Sequence, residues 1–175
     1  IVKNDNRRVV NNGLVCRDGH FEMNLEELEE LASRPENTMM ILCSPHNPTG
    51  RVWKKEELIQ VADICLKHNV MLVSDEIHGD IVYEGHTQHP LLGLDERYAQ
   101  HFIHLTAPGK TFNVAGLKSG VSIIPNQNVR ETFVKTQVAM SLDVKNTFGI
   151  ESVIAAYTPE GAEWAQQEVA YMQAN

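Results

Sequence analysis

The chain has 175 residues, enough to fill one good core as one domain or a large part of one. Its apolar fraction of 42% and charged fraction of 22% are those of a folded globular protein and exclude a disordered one. A net charge of −8 argues against nucleic acid as the main partner, and no apolar run approaches the ~20 residues of a membrane span.

The opening residues lack the charged-then-apolar order of a secretory signal. Cys16, Cys43 and Cys65 lie far apart without a CxxC spacing, which disfavours a disulfide framework or a zinc knuckle. A reducing cytoplasm fits this usage. The chain starts without methionine and stops on Tyr171-Met172-Gln173-Ala174-Asn175 inside a helical pattern, as a piece of a larger polypeptide would.

Arg8-Val9-Val10-Asn11 and Leu14-Val15-Cys16-Arg17 flank the turn signal Asn11-Asn12-Gly13 and predict a short ribbon. Asn24, with Glu27 three residues on, reads as the cap of a helix over 25–33, whose stripe is Leu25, Leu28 and Leu31. Met39-Met40-Ile41-Leu42-Cys43 is a continuous apolar run, the pattern of a strand covered on both faces. Over 54–68, Leu58, Val61, Ala62, Cys65 and Leu66 recur at helical spacing, and Asn69 closes that helix.

Val70-Met71-Leu72-Val73 predicts a second buried strand that ends at Ser74-Asp75-Glu76. A short helix over 95–100 precedes a third strand, 102–106, and 121–124 reads as a fourth. Helices are expected over 128–140 and 148–157, with Pro159 opening a last one through Trp164 and Met172. The strand-helix-strand-helix-strand order predicts a three-layer α/β/α fold with a mostly parallel sheet.

Each of the first three main strands runs into polar residues: Asn47, Asp75 and Lys110. In open parallel sheets, ligands bind beyond the carboxyl ends of the strands. Singly, an Asn beside Pro is a turn residue and an Asp after a strand is a helix cap. At the ends of successive strands the three point to one site. Lys110 follows the kinked Thr106-Ala107-Pro108-Gly109, a place where an amine can be desolvated and so kept neutral enough to attack a carbonyl. Gly109-Lys110-Thr111 also has the ending of a phosphate-binding P-loop, but His104 stands where that motif needs its first glycine.

Ser44-Pro45-His46-Asn47-Pro48-Thr49-Gly50 resembles the loop of the aspartate aminotransferase-like (fold type I) pyridoxal-phosphate enzymes. Ser74-Asp75-Glu76-Ile77-His78-Gly79-Asp80 and Ala107-Pro108-Gly109-Lys110-Thr111-Phe112-Asn113 resemble its cystathionine β-lyase, or C–S lyase, branch. The resemblance runs over nearly the whole chain. It implies that 1–175 is the central part of the large cofactor-binding domain of such a fold, with an N-terminal segment and a C-terminal small domain elsewhere.

The resemblance also implies roles. Lys110 would hold pyridoxal 5'-phosphate covalently and then take the substrate's α-proton. Asp75 would pair with the pyridine nitrogen, and Asn47 would bond the ring's 3-oxygen. His78 stands where many relatives have a tyrosine that donates to the same oxygen. For the phosphate, Thr106 could contribute a hydroxyl, and Lys118 stands where many aminotransferases have an arginine. Lysine supplies charge without the bidentate fork. Gly109 departs from the family by standing where a phosphate-binding serine is usual.

The implied reaction is α,β-elimination from a sulfur amino acid such as cystathionine or cysteine, releasing thiol, pyruvate and ammonia. An aminotransferase on the same scaffold is the alternative, and a regulatory or binding relative without catalysis is another. The resemblance implies a homodimer for the intact enzyme and weak cofactor binding without turnover for this segment alone. His78, Asp80, His86 and His89 have metal-like composition but no metal-binding spacing, so no metal is expected.

Overall fold

Residues 2–175 are described by the computed structural model. After a 3-10 turn at Val2–Asp5, the chain forms an antiparallel ribbon of β1 (Val15–Arg17) and β2 (His20–Glu22). The expected ribbon partner at residues 8–11 is irregular. Asp18 and Gly19 take φ of +51° and +79°, and that left-handed pair reverses the chain three residues after Val15. The turn chemistry of Asp-Gly therefore outcompetes that of Asn-Asn-Gly.

The main sheet contains β3 (Met39–Cys43), β4 (Met71–Asp75), β5 (Phe102–Thr106) and β6 (Val121–Ile123), in that spatial order. The first three pair in parallel, and β6 is antiparallel to β5. Two helices join them on one face: α1 (Leu25–Ala32) and α2 (Lys55–Lys67). Asn24 Oδ1 accepts from the Glu27 amide at 3.2 Å, the cap expected from the sequence. In α2, buried Leu58, Val61, Ala62 and Cys65 repeat at i, i+3, i+4 and i+7 and face the sheet. Asn69 closes that helix with φ of +55°.

The core lies between this helical layer and the strand face that carries Leu42, Leu72 and Phe102. Trp53, Tyr98 and Leu91 complete it, each within 1% of full burial. At about 1.5–3 kcal/mol per fully buried large apolar side chain, this face supplies much of the folding free energy. The other face is different. Met39 and Ile41 of β3 are 58% and 59% exposed, so the expected cover on both faces is absent there.

Past β5 come α3 (Pro108–Thr111), then β6 and three helices: α4 (Gln127–Ala139), α5 (Thr147–Ala156) and α6 (Pro159–Ala174). Neither α4 nor α6 buries a residue. An aromatic cluster links the last two helices to α3: the Phe112 ring meets Tyr157 edge-on at 5.7 Å and stacks on Trp164 at 6.0 Å. No helix among the described residues is long and apolar enough to cross a membrane.

Candidate active site

Because β3, β4 and β5 are parallel neighbours, their carboxyl ends open on one edge of the sheet. Cys43, Asp75 and Leu105 lie level across the three strands. The ladder runs on past them, with the Ser44 amide donating to the Asp75 carbonyl and the Glu76 amide to the Leu105 carbonyl, each at 2.9 Å. Asn47 follows Cys43, Asp75 ends β4, and Lys110 follows β5 on α3. The three residues singled out in the sequence therefore emerge at one edge.

The Asn47 loop is tied down from below. His46 donates its amide to the Arg51 carbonyl at 2.7 Å, and Gly50 donates back to His46 at 2.8 Å with a φ of +71° that favours glycine. His46 Nδ1 bonds Thr49 Oγ1 at 2.8 Å, and Trp53 Nε1 donates to the Cys43 carbonyl at 2.9 Å. Partial burial pushes the His46 pKa down and keeps its imidazole neutral. The Ser44–Pro45 and Asn47–Pro48 peptides are cis.

Arg51 is the outer clamp of this loop. Its Nη2 spans both Glu57 oxygens at 2.8 and 2.9 Å, its Nη1 donates to the Phe21 carbonyl, and its guanidinium lies 4.6 Å from the Trp53 ring centroid. The result leaves the Asn47 side chain exposed at the edge on a braced backbone.

Asp75 is half-buried, and among the described residues its Oδ1 accepts only a long bond, 3.4 Å, from the Ile77 amide. His78 sits in the turn that follows, with Nδ1 buried and without a hydrogen-bond partner among the described residues. Thr111 Oγ1 donates to Asp80 Oδ2 at 3.1 Å and pins α3 to the same turn. Lys110 itself is exposed. The desolvation expected from its turn is not supplied by this chain's own residues, because only Pro108 and Thr111 of the short helix point inward.

The residues considered for a phosphate are placed less favourably. The Thr106 side chain lies beside the Tyr157 phenol. Strand alternation also sets Thr106 on the opposite face from Leu105, which is level with Asp75. Burial pushes the Tyr157 pKa up, Asp80 nearby adds to the rise, and the neighbouring Thr106 hydroxyl opposes it. Lys118 is exposed, in a left-handed conformation with φ of +55°. At Gly109 a Cβ would lie 3.2 Å from Ala115 Cα, so a larger residue there would press on the backbone of the next turn.

A second carboxylate, not singled out in the sequence, lies behind Asp75. Glu76 is 4% exposed, and its Oε1 accepts from Ser74 Oγ at 2.8 Å and from the Leu91 amide at 2.9 Å. Gln88 Nε2 reaches its Oε2 at 3.1 Å. His104 Nδ1 stands 3.1 Å from Oε1, at ion-pair distance but off the line of a hydrogen bond. The available signal was His104, a polar residue interrupting an apolar strand.

Residues 7–175 match the model of the aminotransferase class I and II family. The chain is 37% identical over 175 residues to the cystathionine beta-lyase PatB of Bacillus subtilis (strain 168), covering all of this chain and 45% of PatB. It is 35% identical over 118 residues to kynurenine–oxoglutarate transaminase 3 of Rattus norvegicus, 67% of this chain and 26% of that protein. Cystalysin from Treponema denticola, whose crystal structure contains pyridoxal 5'-phosphate, superposes with a TM-score of 0.93 at 38% identity, over 97% of this chain and 43% of cystalysin. The chain thus spans less than half the length of these curated relatives.

Proposed function

The chain belongs to the aminotransferase class I and II family, and from that premise we propose that it forms part of a pyridoxal-phosphate-dependent carbon–sulfur β-lyase. The substrate would be an amino acid with sulfur on its β-carbon, such as cystathionine or cysteine, and the products thiol, pyruvate and ammonia. The observation that carries this reading is the emergence of Asn47, Asp75 and Lys110 on one edge of a parallel sheet. Likeness to PatB over the whole chain favours elimination over amino transfer.

The donor set fits the cofactor's ring. An amine, a carboxylate with a single weak bond, an exposed amide side chain and an orphaned imidazole nitrogen are what an aldehyde-bearing pyridine with a ring hydroxyl would engage. When bound, pyridoxal phosphate supplies an electron sink for a carbanion at the substrate's α-carbon. In this reading Asp75 keeps a proton on the ring nitrogen, and Asn47 and His78 Nδ1 hold the ring oxygen. Lys110 Nζ would hold the cofactor's carbonyl carbon and, once displaced by the substrate's amine, would take the α-proton. Lys118 would add charge near the phosphate. Thr106 fits that task less well because it lies on the opposite face of β5 from Leu105, which is level with Asp75.

The same reading makes residues 1–175 the central part of a large cofactor-binding domain in a cytoplasmic homodimer. The test is an assay of the complete protein with cystathionine, following thiol and pyruvate. Lys110→Ala is expected to abolish their release. Formation of a new amino acid from an added 2-oxo acid, without thiol release, would replace the lyase by a transaminase, a reading favoured by the kynurenine–oxoglutarate transaminase match.

A further inference from the structure

Two adjacent carboxylates part company at the end of β4. Asp75 stays half-open at the sheet edge, while Glu76 is sunk beneath it at 4% exposure. Burying a carboxylate costs several kcal/mol unless partners replace its water. Glu76 has three hydrogen-bonding partners and, at ion-pair distance, His104, and they come from different parts of the chain.

Ser74 belongs to β4, and His104 belongs to β5. The Leu91 amide and Gln88 come from the connection between those two strands. Gln88 Nε2 also donates to the Ser44 carbonyl at 3.2 Å, which brings in the end of β3. One buried group therefore touches, directly or through a single side chain, all three strand ends. Asn47 lies just beyond Ser44, Asp75 lies between Ser74 and Glu76, and Lys110 follows His104 along the chain. An apolar residue at position 76 would fill the space without any of these directional ties.

We propose that Glu76 is a positioning residue, which fixes the ends of β3, β4 and β5 relative to one another and so sets the spacing of Asn47, Asp75 and Lys110. This rests on reading those three as the cofactor site. Gln88 extends the tie to β3, and His104 extends it to β5.

The test uses the complete protein and compares wild type with Glu76→Gln and Gln88→Leu by amide hydrogen exchange. Attachment of pyridoxal phosphate at Lys110, trapped with borohydride, is the second readout. Glu76→Gln keeps the size but places an amide group against Gln88 or Ser74. It is expected to lose at least about tenfold protection at the Leu91 and Ser44 amides, with Val61 and Cys65 in α2 unchanged, and to be trapped several-fold more slowly. Gln88→Leu is expected to loosen Ser44 alone, and it decides the matter if Glu76→Gln does not fold.

Unchanged protection at Leu91 and Ser44, or equal loss throughout α2, would overturn the proposal. Failure of the wild type to be trapped at Lys110 would count against the cofactor reading only. The exchange pattern would still decide whether Glu76 positions the strand ends.

Discussion

The segment from β3 to β5 and the segment from β6 onward differ in how they spend their apolar residues. In the first, Leu58, Val61, Leu72 and Phe102 are within 1% of full burial under α2. In the second, Val144, Phe148 and Ile154 are 81%, 74% and 61% exposed, and α4 and α6 bury nothing. Folding free energy is thus concentrated in the first segment, and the candidate site is its carboxyl edge. Asn47 and Asp75 stand on that packed base, whereas Lys110 sits at the border between the two segments.

Trp53→Ala should produce the largest effect. The ring is 1% exposed, and its Nε1 donates to the Cys43 carbonyl at the root of the Asn47 loop. Removal of a large core aromatic costs about 3–5 kcal/mol. Urea unfolding should show that loss. A change below about 1 kcal/mol would mean that the first segment does not carry the stability.

Next comes Arg51→Met, expected to cost about 1–3 kcal/mol because it strands the half-buried Glu57 and frees the Phe21 carbonyl. Arg51→Lys should recover only part of this, since a lysine has one nitrogen and no planar guanidinium with which to bond Glu57 and the Phe21 carbonyl together while lying over the Trp53 ring. Full recovery would show that charge alone matters at this position.

Much of this first segment is legible in the sequence, for a physical reason. Helix α2 shows its buried face as a 3.6-residue repeat, and β3 and β4 show theirs as apolar runs, because burial acts on each residue locally. What was not legible depends on which partner meets which residue. Exposure of Met39 and Ile41 follows from the place of β3 at the rim of the sheet, since Val73 beside Ile41 on the same face is only 8% exposed, and β6 runs antiparallel because a short return from α3 reverses the chain. The Glu76 site gathers Ser74, Gln88, Leu91 and His104 from across 31 sequence positions, and no local pattern announces it. For the candidate site, strand ends pointed to Asn47, Asp75 and Lys110, but the placement of Tyr157 beside Thr106 needed α5 in place.

Glu76 permits a smaller, pH-dependent test of the packed segment. Burial alone would push its pKa up, but His104, the Leu91 amide and the Ser74 hydroxyl outweigh burial and hold it below its ordinary 4.5. The unfolded chain therefore binds this proton more readily than the folded one. The stabilisation is complete above the ordinary value and fades as pH falls through the depressed folded one. Glu76→Gln removes that contribution, so the stability gap between wild type and variant should narrow as the pH is lowered from about 6 to about 3. A gap that widens on acidification would mean that burial dominates.

The smallest effect is expected at the other end of the comparison. Val144 is 81% exposed in the connection between α4 and α5, so Val144→Ser removes almost no area that folding had taken from water. Surface changes of this kind stay within about 0.5 kcal/mol. The same urea titration that measures Trp53→Ala measures this variant. A loss above about 1 kcal/mol would mean that the last helices bury their apolar residues in solution. The contrast between a packed first segment and an open second one would then be wrong for the molecule in water.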